Sequence, residues 1–284
     1  MKNADVVHYP YFDFFFHTLP VKSHVKRVVT VHDAIPLVFA NHFPKGIKGT
    51  FNLFLQKLAL KNTSAVICDS ETSKVDITQT LGFPAKRIFP IYLAPNPKFK
   101  AVKDAKVLQD IRKKYNLPQN FVLYVGDVNW NKNVEGVIRA AAAVSMDFVF
   151  VGPSFFHEIK AVAHINNLVE SLKIKGKITF LKYIPTPDLV VLYNLAKVTC
   201  MPSLYEGFGL PVLESMACGT PVVCSRTSSL NEIGGEAAVY ADPYNPQDIA
   251  QRLEEVNKLS TKEYASLAEK SISHAKKFSW EKTA

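Results

Sequence analysis

The chain has 284 residues, with 48% apolar and 21% charged side chains, 12 glycines and 17 prolines. This composition is typical of a globular protein with one large domain or two ordinary ones, and it excludes disordered, collagen-like and coiled-coil classes. No apolar run approaches the roughly 20 residues that a membrane-crossing helix needs, and we expect no signal peptide. The four cysteines lie singly in apolar stretches, which indicates buried thiols and a cytoplasmic protein.

The formal net charge of +9 is unevenly distributed along the chain. Residues 1–100 carry 13 basic and 6 acidic side chains, residues 101–200 carry 13 and 8, and residues 201–284 carry 8 and 11. The basic first two thirds favour an anionic partner, such as nucleotide phosphates or an anionic lipid surface. No run of Lys and Arg exceeds three residues, so we expect no nucleic-acid partner.

Short β-branched runs alternate with amphipathic stretches along most of the chain. The predicted strands are 28–32, 65–69, 88–93, 121–126, 148–152, 178–181, 198–202, 222–225 and 238–241. The predicted helices are 47–61, 71–81, 104–115, 133–145, 156–172, 187–196, 211–218 and 246–258. This alternation predicts an α/β protein whose mostly parallel sheets carry helices on both faces.

A proline-containing break at residues 94–100 interrupts the alternation, because Pro95 and Pro97 neither continue a strand nor enter a helix interior. We therefore predict two domains, 1–96 and 97–284. The second has six predicted strands, enough for a full domain. The first has about three, which predicts an incomplete N-terminal domain.

The segment 202–223 has the pattern of an anion site. A buried strand is followed by a loop with two glycines, and Pro211 suits the first turn of a helix that Gly219 and Pro221 end. At such a helix start, backbone N–H groups and the helix dipole converge, and glycine lets a phosphate approach the backbone.

Two carboxylates flank this turn, Glu206 in the loop and Glu214 in the helix. A carboxylate repels phosphate, so its useful partner is a hydroxyl, and a nucleotide sugar has hydroxyls at both ends of its diphosphate. Taken singly, each could also be structural: Glu206 as a turn cap and Glu214 as a solvated charge on the helix face.

This segment resembles the signature of family 4 retaining glycosyltransferases, which have the GT-B fold of two Rossmann-like domains facing across a cleft. The hallmark is two glutamates separated by seven residues, as in Glu206 and Glu214. Further resemblance, in the order that the family has, covers most of the chain. It is carried by residues 30–33, 68–73, 124–133 and 180–185.

The resemblance implies a role for each matching residue. Lys132 would pair with the donor diphosphate, Glu206 would hold hydroxyls of the transferred sugar, and Glu214 would bind the ribose. The backbone of Phe208, Gly209 and Leu210 would cradle sugar and phosphate, and Tyr183 and Ile184 would meet the base. The implied donor-binding set is Gly126, Asn131, Lys132, Tyr183, Ile184, Glu206, Gly207, Phe208, Gly209, Leu210 and Glu214.

The implied catalytic residues are His32, Glu206 and Lys132. His32 matches the family histidine near the reacting bond, although a strand-end histidine can also be a core residue. Retention in this family is explained by attack on the face that the diphosphate leaves, so we expect no side-chain nucleophile. We also expect no catalytic metal and no cofactor besides the nucleotide-sugar donor.

Some features depart from the family pattern. Many relatives have a basic residue beside the lysine, where this chain has Asn131. The strand and glycine-rich loop that normally begin the family are not found before Asp5, and the last helix is missing or shortened after Trp280. We therefore expect a chain that is truncated at the front or naturally short.

The resemblance implies transfer of a hexose from a nucleotide-diphosphate sugar to a glycan or lipid-linked acceptor in surface polysaccharide synthesis. Mannose as the sugar and GDP-mannose as the donor are favoured, because the residues of the motifs most resemble those of mannosyltransferases in surface polysaccharide synthesis. The basic front with its aromatic cluster at residues 9–16 could contact a membrane peripherally, or these aromatics could be core. The alternatives are a truncated, non-catalytic nucleotide-sugar binder and, less favoured, another GT-B enzyme such as an epimerase or phosphorylase.

Overall fold

The protein is described here by a computed structural model covering residues 4–284. Contacts within the chain divide it into two units. The first unit ends at Leu93 and also takes in Glu206–Phe208 and Thr283, and the second unit comprises the other residues from Ala94 onward. The domain boundary near residue 96 stays a prediction.

The strands and helices follow the predicted alternation. The strands are β1 Val6–Tyr9, β2 Lys26–Thr30, β3 Ala65–Cys68, β4 Ile88–Pro90, β5 Phe121–Val125, β6 Asp147–Val151, β7 Ile178–Leu181, β8 Val198–Met201, β9 Val222–Ser225 and β10 Val239–Ala241. The helices are α1 Ile35–Val38, α2 Gly46–Lys61, α3 Glu71–Leu81, α4 Ala105–Lys114, α5 Val134–Ala141, α6 Lys160–Ser171, α7 Thr186–Leu195, α8 Leu210–Ala217, α9 Ser228–Gly234, α10 Pro246–Asn257, α11 Thr261–Ala275 and α12 Trp280–Thr283. Within residues 4–284, no helix has the length and apolar character to cross a membrane.

The first unit has a parallel sheet in the order β1-β2-β3-β4. Its core joins the inward faces of β2 and β3, including Val29 and Val66, to Phe12 and Phe14. The prediction of about three strands missed β1, whose four residues are exposed or only partly buried at the sheet edge. A short edge strand has no strong apolar alternation, so its sequence signal is weak.

The second unit has a six-stranded parallel sheet in the order β10-β9-β8-β5-β6-β7. Neighbouring residues on its central strands alternate between two cores: Val122 and Phe148 belong to one, and Leu123 and Val149 to the other. Helices cover both faces, which explains why these strands are near-continuous apolar runs in the sequence. Counted from β5, this order is that of a doubly wound Rossmann sheet, whose strand order reverses between β5 and β8.

Two helices of the second unit that the prediction missed are α9 and α11. Ser260 caps α11 by accepting a hydrogen bond from the Glu263 N–H, and the Glu263 side chain in turn accepts from the Ser260 N–H. This capping box is a local sequence signal that could have identified the helix.

Candidate functional site

The reversal of strand order between β5 and β8 positions the first group of predicted site residues. In open parallel sheets, ligands bind outside the carboxyl ends of the strands where this reversal occurs. After β5 the chain passes Gly126 and a single 3₁₀ turn, Trp130–Lys132, before α5 begins. After β8 it enters the glycine-containing loop that leads to α8. Lys132 and the start of α8 thus both follow carboxyl ends of neighbouring strands, β5 and β8, where sheets of this kind commonly bind ligands.

Asn131 joins these two loops through its backbone and its side chain. Its backbone carbonyl accepts from the Leu204 N–H at 2.8 Å, and its Nδ2 donates to the Tyr205 carbonyl at 3.0 Å. Asn131 is buried. Its observed contacts therefore hold the backbone beside Lys132, and its predicted contact with the donor stays a prediction.

Asn133, on the other side of Lys132, was not singled out from the sequence. Its backbone is left-handed with φ 53°, its Oδ1 accepts from the Gly136 N–H, and its Nδ2 donates to the Pro202 carbonyl at 3.0 Å and the Pro243 carbonyl at 2.7 Å. Asparagine tolerates this conformation better than most residues, because its short polar side chain bonds locally. The half-buried Lys132 is thus held between two anchored neighbours.

Gly126 and Gly152 meet where β5 and β6 end. A Cβ atom on Gly152 would lie 2.3 Å from the Gly126 carbonyl oxygen, so only glycine fits at residue 152. The sequence interpretation included Gly126 in the site but not Gly152. The backbones after β5 and β6 therefore approach each other closely at these two glycines.

The N-terminus of α8 has the features of an anion site. Gly209 caps the helix with φ +116° and makes no side-chain hydrogen bond, and Leu210 and Pro211 open the first turn. The eight-residue helix directs the positive end of its dipole toward the loop. Gly209 has no side chain of its own to keep a phosphate away from its backbone.

Replacing Gly209 with alanine tests whether the backbone conformation before α8 requires a glycine. The φ of +116° is strained for any L side chain, and the added Cβ would lie 2.6 Å from the Leu230 Cδ2. We expect Gly209→Ala to lower the free energy of unfolding by about 1–3 kcal/mol, measured by urea denaturation. In the control Gly176→Ala, the Cβ meets nothing within 4 Å, and a change under about 0.5 kcal/mol is expected. Equal stability of the two variants would contradict the assigned backbone conformation.

Glu214 lies one turn into α8, four residues after Leu210. The Tyr193 hydroxyl donates to its Oε2 at 3.0 Å. Burial raises the pKa of Glu214 above the ordinary value of 4.5, and the bond from Tyr193 partly opposes this rise. Glu214 is therefore an oriented, partly buried acceptor, which suits the binding of a hydroxyl pair such as that of a ribose.

The raised pKa of Glu214 predicts how nucleotide binding depends on pH. The ionised carboxylate accepts hydroxyl hydrogens, so affinity should fall as the pH drops through this raised pKa and the group becomes protonated. At neutral pH we expect Glu214→Gln to bind a nucleoside diphosphate about tenfold more weakly. In calorimetric titrations, the difference in affinity between wild type and Glu214→Gln should become smaller toward acidic pH. The ratio of their two dissociation constants is unaffected by titration of the phosphates, which is the same for both proteins. A ratio that does not change with pH would contradict the assignment.

Tyr183 and Ile184 follow β7. Tyr183 is 73% exposed, whereas Ile184 is buried in the apolar cluster that contains Val190. The Ile184 side chain is therefore a core residue, and only the backbone at this position remains for a ligand. Contact of either residue with a base stays a prediction.

The remaining predicted residues lie in the first unit. Glu206 and Phe208 are buried. The Gly207 carbonyl accepts from the Ser70 Oγ at 2.8 Å and from the Ser73 Oγ at 3.2 Å, and a Cβ on Gly207 would lie 2.6 Å from the Asp33 Cβ. The two serines hold the backbone directly after Glu206, a role that the sequence did not indicate.

His32 is paired with a buried carboxylate. Its Nδ1 lies 2.8 Å from the Asp69 Oδ2, and its side chain remains 46% exposed. The hydrogen bond with Asp69 raises the pKa of His32, and partial burial opposes this rise. A hydrogen bond with the Pro10 backbone also raises this pKa, so the ring has a second partner besides Asp69. The exposed fraction of the side chain disfavours the alternative of a purely core histidine, and contact of His32 with a sugar stays a prediction.

The predicted site residues divide between the two units. The second unit holds Gly126, Asn131, Lys132, Tyr183, Ile184, Gly209, Leu210 and Glu214, and the first unit holds His32, Glu206, Gly207 and Phe208. Among residues 4–284, no three His, Cys, Asp or Glu side chains cluster so that they could hold a metal ion. Independence from metal stays a prediction.

Two parallel α/β units with a Rossmann sheet are the components of the GT-B fold. The solved structure of Anabaena Alr3699/HepE in complex with UDP and glucose superposes with a TM-score of 0.77 and 22% identity, over 89% of this chain and 67% of that one. The predicted fold class is thereby confirmed.

The chain belongs to the glycosyl transferases group 1 family, which matches residues 108–277, and residues 1–98 match Glycosyltransferase Family 4. The O-antigen chain mannosyltransferase B of Escherichia coli is 32% identical over 90% of this chain and 67% of its own length. The serotype-specific mannosyltransferase WbdA of Escherichia coli is 30% identical over 91% of this chain and 32% of its own length. The chain thus spans two thirds of one relative and one third of the other. The resemblance found in the sequence is confirmed at the level of the family.

Proposed function

We propose that this chain is a retaining glycosyltransferase that moves mannose from a nucleotide-diphosphate mannose, with GDP-mannose favoured, to a growing surface glycan. The observation that carries the proposal is that the loop with Lys132 and the loop leading to α8, the helix of Glu214, follow the carboxyl ends of two neighbouring strands, β5 and β8. The names of the two Escherichia coli relatives support mannose. The solved relative with bound UDP and glucose supports a nucleotide sugar as donor.

The donor is held by charge at its centre and by hydroxyl acceptors at its ends. Lys132 and the positive end of the α8 dipole attract the diphosphate. Glu214 accepts from the ribose hydroxyls and Glu206 from the mannose hydroxyls. The backbone of Gly209 lets the phosphate come close. Tyr183 and the backbone of Ile184 meet the base.

The reaction needs no nucleophile from the protein. The bond between the anomeric carbon and the diphosphate oxygen breaks as the acceptor hydroxyl oxygen bonds to the same face of that carbon. The acceptor proton passes to the departing diphosphate. Lys132 and α8 stabilise the charge that develops on the leaving group, which is the largest contribution a protein makes to such a step. His32, oriented by Asp69, lies beside the sugar and the reacting bond.

The decisive experiment is a transfer assay with the purified chain. Radiolabelled GDP-mannose, UDP-glucose and ADP-glucose are each incubated with an α-linked mannotriose acceptor, with and without EDTA. We expect lengthening of the acceptor with GDP-mannose alone, α-linked product by NMR, and no loss with EDTA. Calorimetric binding of GDP without transfer would favour the non-catalytic alternative. Transfer from UDP-glucose would replace the proposed donor.

We also propose peripheral contact with an anionic membrane through α2. Ile47, Phe51 and Phe54, spaced to share one side of the helix, are 93%, 60% and 58% exposed. Residues 34–68 contain four lysines and no acidic side chain. An apolar stripe among positive charges suits an interface with anionic headgroups. Of the aromatic cluster at residues 9–16, Phe12 and Phe14 are core residues, and Phe16 is 68% exposed.

Vesicle flotation tests this contact. The wild type should float with vesicles containing phosphatidylglycerol and lose this binding in high salt. The double variant Phe51→Ser and Phe54→Ser should not float. The control Phe156→Ser replaces a phenylalanine that is 44% exposed in the second unit, and it should float like the wild type. Flotation of the double variant would rule out α2 as the contact.

A further inference from the structure

The second unit contains a large cavity that the proposed donor site does not use. Its volume is about 690 Å³, within the range of small-molecule sites, and its walls come from the loop after β5, from α5 and α6, and from the loop between β10 and α10. The side chains that bear on its chemistry are those of Asn129, Trp130, Glu135, Arg139, His164 and Tyr244.

One wall of the cavity carries a hydrogen-bonded cluster of three polar side chains. The Arg139 Nε and Nη2 donate to the Glu135 Oε1 at 2.9 and 2.6 Å, and the His164 Nε2 lies 2.9 Å from the Glu135 Oε2. All three side chains are about half exposed. These bonds hold the carboxylate between two planar groups. A guanidinium has five N–H donors and a carboxylate about four acceptor sites, so both can also bond hydroxyls.

Two aromatic side chains, Trp130 and Tyr244, also line the cavity. Tyr244 is 73% exposed, and Trp130 lines the cavity from the loop after β5. Aromatic rings present a flat apolar face, and Tyr and Trp add a polar edge. A hexose has the matching chemistry, because its C–H groups form an apolar face and its hydroxyls project around the rim.

The charge of the cluster discriminates between ligand classes. Hydrogen bonds from Arg139 and His164 hold the pKa of Glu135 below its ordinary value, so the carboxylate is ionised at neutral pH. The ionised Glu135 carboxylate repels phosphate. The positive charge of Arg139 is already paired with this carboxylate, so it attracts an anion less strongly. The cavity therefore suits an uncharged ligand with many hydroxyls better than a second nucleotide.

We propose that this cavity binds one or two hexose units of a neutral glycan, with Tyr244 and Trp130 stacking on the sugar and Glu135 and Arg139 bonding its hydroxyls. The inference rests on the proposed function, because the glycan in question is the growing product. A second contact with the product raises its effective concentration at the enzyme. Trp130 and Asn133 line this cavity and belong to the same loop as Lys132, so the bound glycan lies beside that loop.

An NMR titration of the whole chain with α-linked mannotriose tests the proposal, with the ring signals of His164 as reporter. We expect these signals to shift at millimolar glycan, and Tyr244→Ala to weaken this response about tenfold or more. Glu135→Gln should weaken it as well, while both variants bind GDP like the wild type. The matched control Glu214→Ala should show the reverse pattern, with GDP binding weakened and the His164 shift retained.

Three outcomes would overturn the proposal. These are unmoved His164 signals at saturating mannotriose, an undiminished shift in Tyr244→Ala, and a larger response to inorganic phosphate than to the glycan. The transfer assay is independent of this titration. If the His164 signals shift but the chain transfers no sugar, the glycan site is supported and the proposed function is wrong. If the chain transfers sugar but the His164 signals do not shift, the proposed function is supported and the glycan site is wrong.

Discussion

Replacing Lys132 with alanine is expected to lower the rate of sugar transfer about 100- to 1000-fold, the usual effect of removing one group that stabilises a developing negative charge. Two structural features make the effect large. The neighbours on both sides are asparagines, so Lys132 supplies the single positive charge of the stretch 124–133. Asn131 and Asn133 anchor the backbone on either side of Lys132, which holds the lysine in place before the donor arrives.

The measurement for Lys132 is steady-state transfer from GDP-mannose, together with calorimetric binding of GDP. Binding should weaken less than the rate falls, since charge on the diphosphate grows as the bond breaks. Lys262→Ala is the matched control, because Lys262 is exposed near the start of α11 and the proposed reaction does not use it. A Lys132→Ala enzyme with at least half the parent rate would refute its role with the diphosphate.

Replacing Glu206 with alanine should produce the second large effect, a loss of about 100-fold in transfer. Glu206 is buried, and Ser70 and Ser73 hold the carbonyl of the next residue. A carboxylate in a fixed position that bonds sugar hydroxyls orients the anomeric carbon toward the acceptor, and loss of orientation is costly in a displacement reaction. GDP lacks the mannose, so its affinity should change less than about threefold.

The comparison of GDP with GDP-mannose separates the two glutamates. Glu206→Ala should reduce the difference in affinity between GDP-mannose and GDP. Glu214→Gln should lower the affinity for both ligands by the same factor. Glu269→Ala serves as control, because Glu269 is an exposed residue of α11. Circular dichroism should show that each variant is folded. If Glu206→Ala lost GDP itself, Glu206 would belong with the nucleotide instead of the sugar.

Much of the candidate site could be predicted because its signals are local. The strand, glycine loop, Pro211 and Gly219 pattern predicted α8 to within a residue, since backbone conformation at these positions depends on neighbours in the chain. The spacing of Glu206 and Glu214 carried the family assignment, which the matches confirm. Elements without such signals, β1 and α9, were missed.

The sequence by itself determined the α/β class, the family and the residues to examine, because apolar period, glycine, proline and motif spacing are properties of short segments. Only the tertiary structure decided what each of these residues touches. The serines that hold Gly207 lie more than 130 residues away from it, and the partners of Asn133 lie 69 and 110 residues away. Contacts between residues far apart in the sequence also set the order of the strands, place Tyr193 beside Glu214 and form the cavity around Glu135. Contacts over such separations depend on how whole elements pack, and no short stretch of sequence encodes that packing.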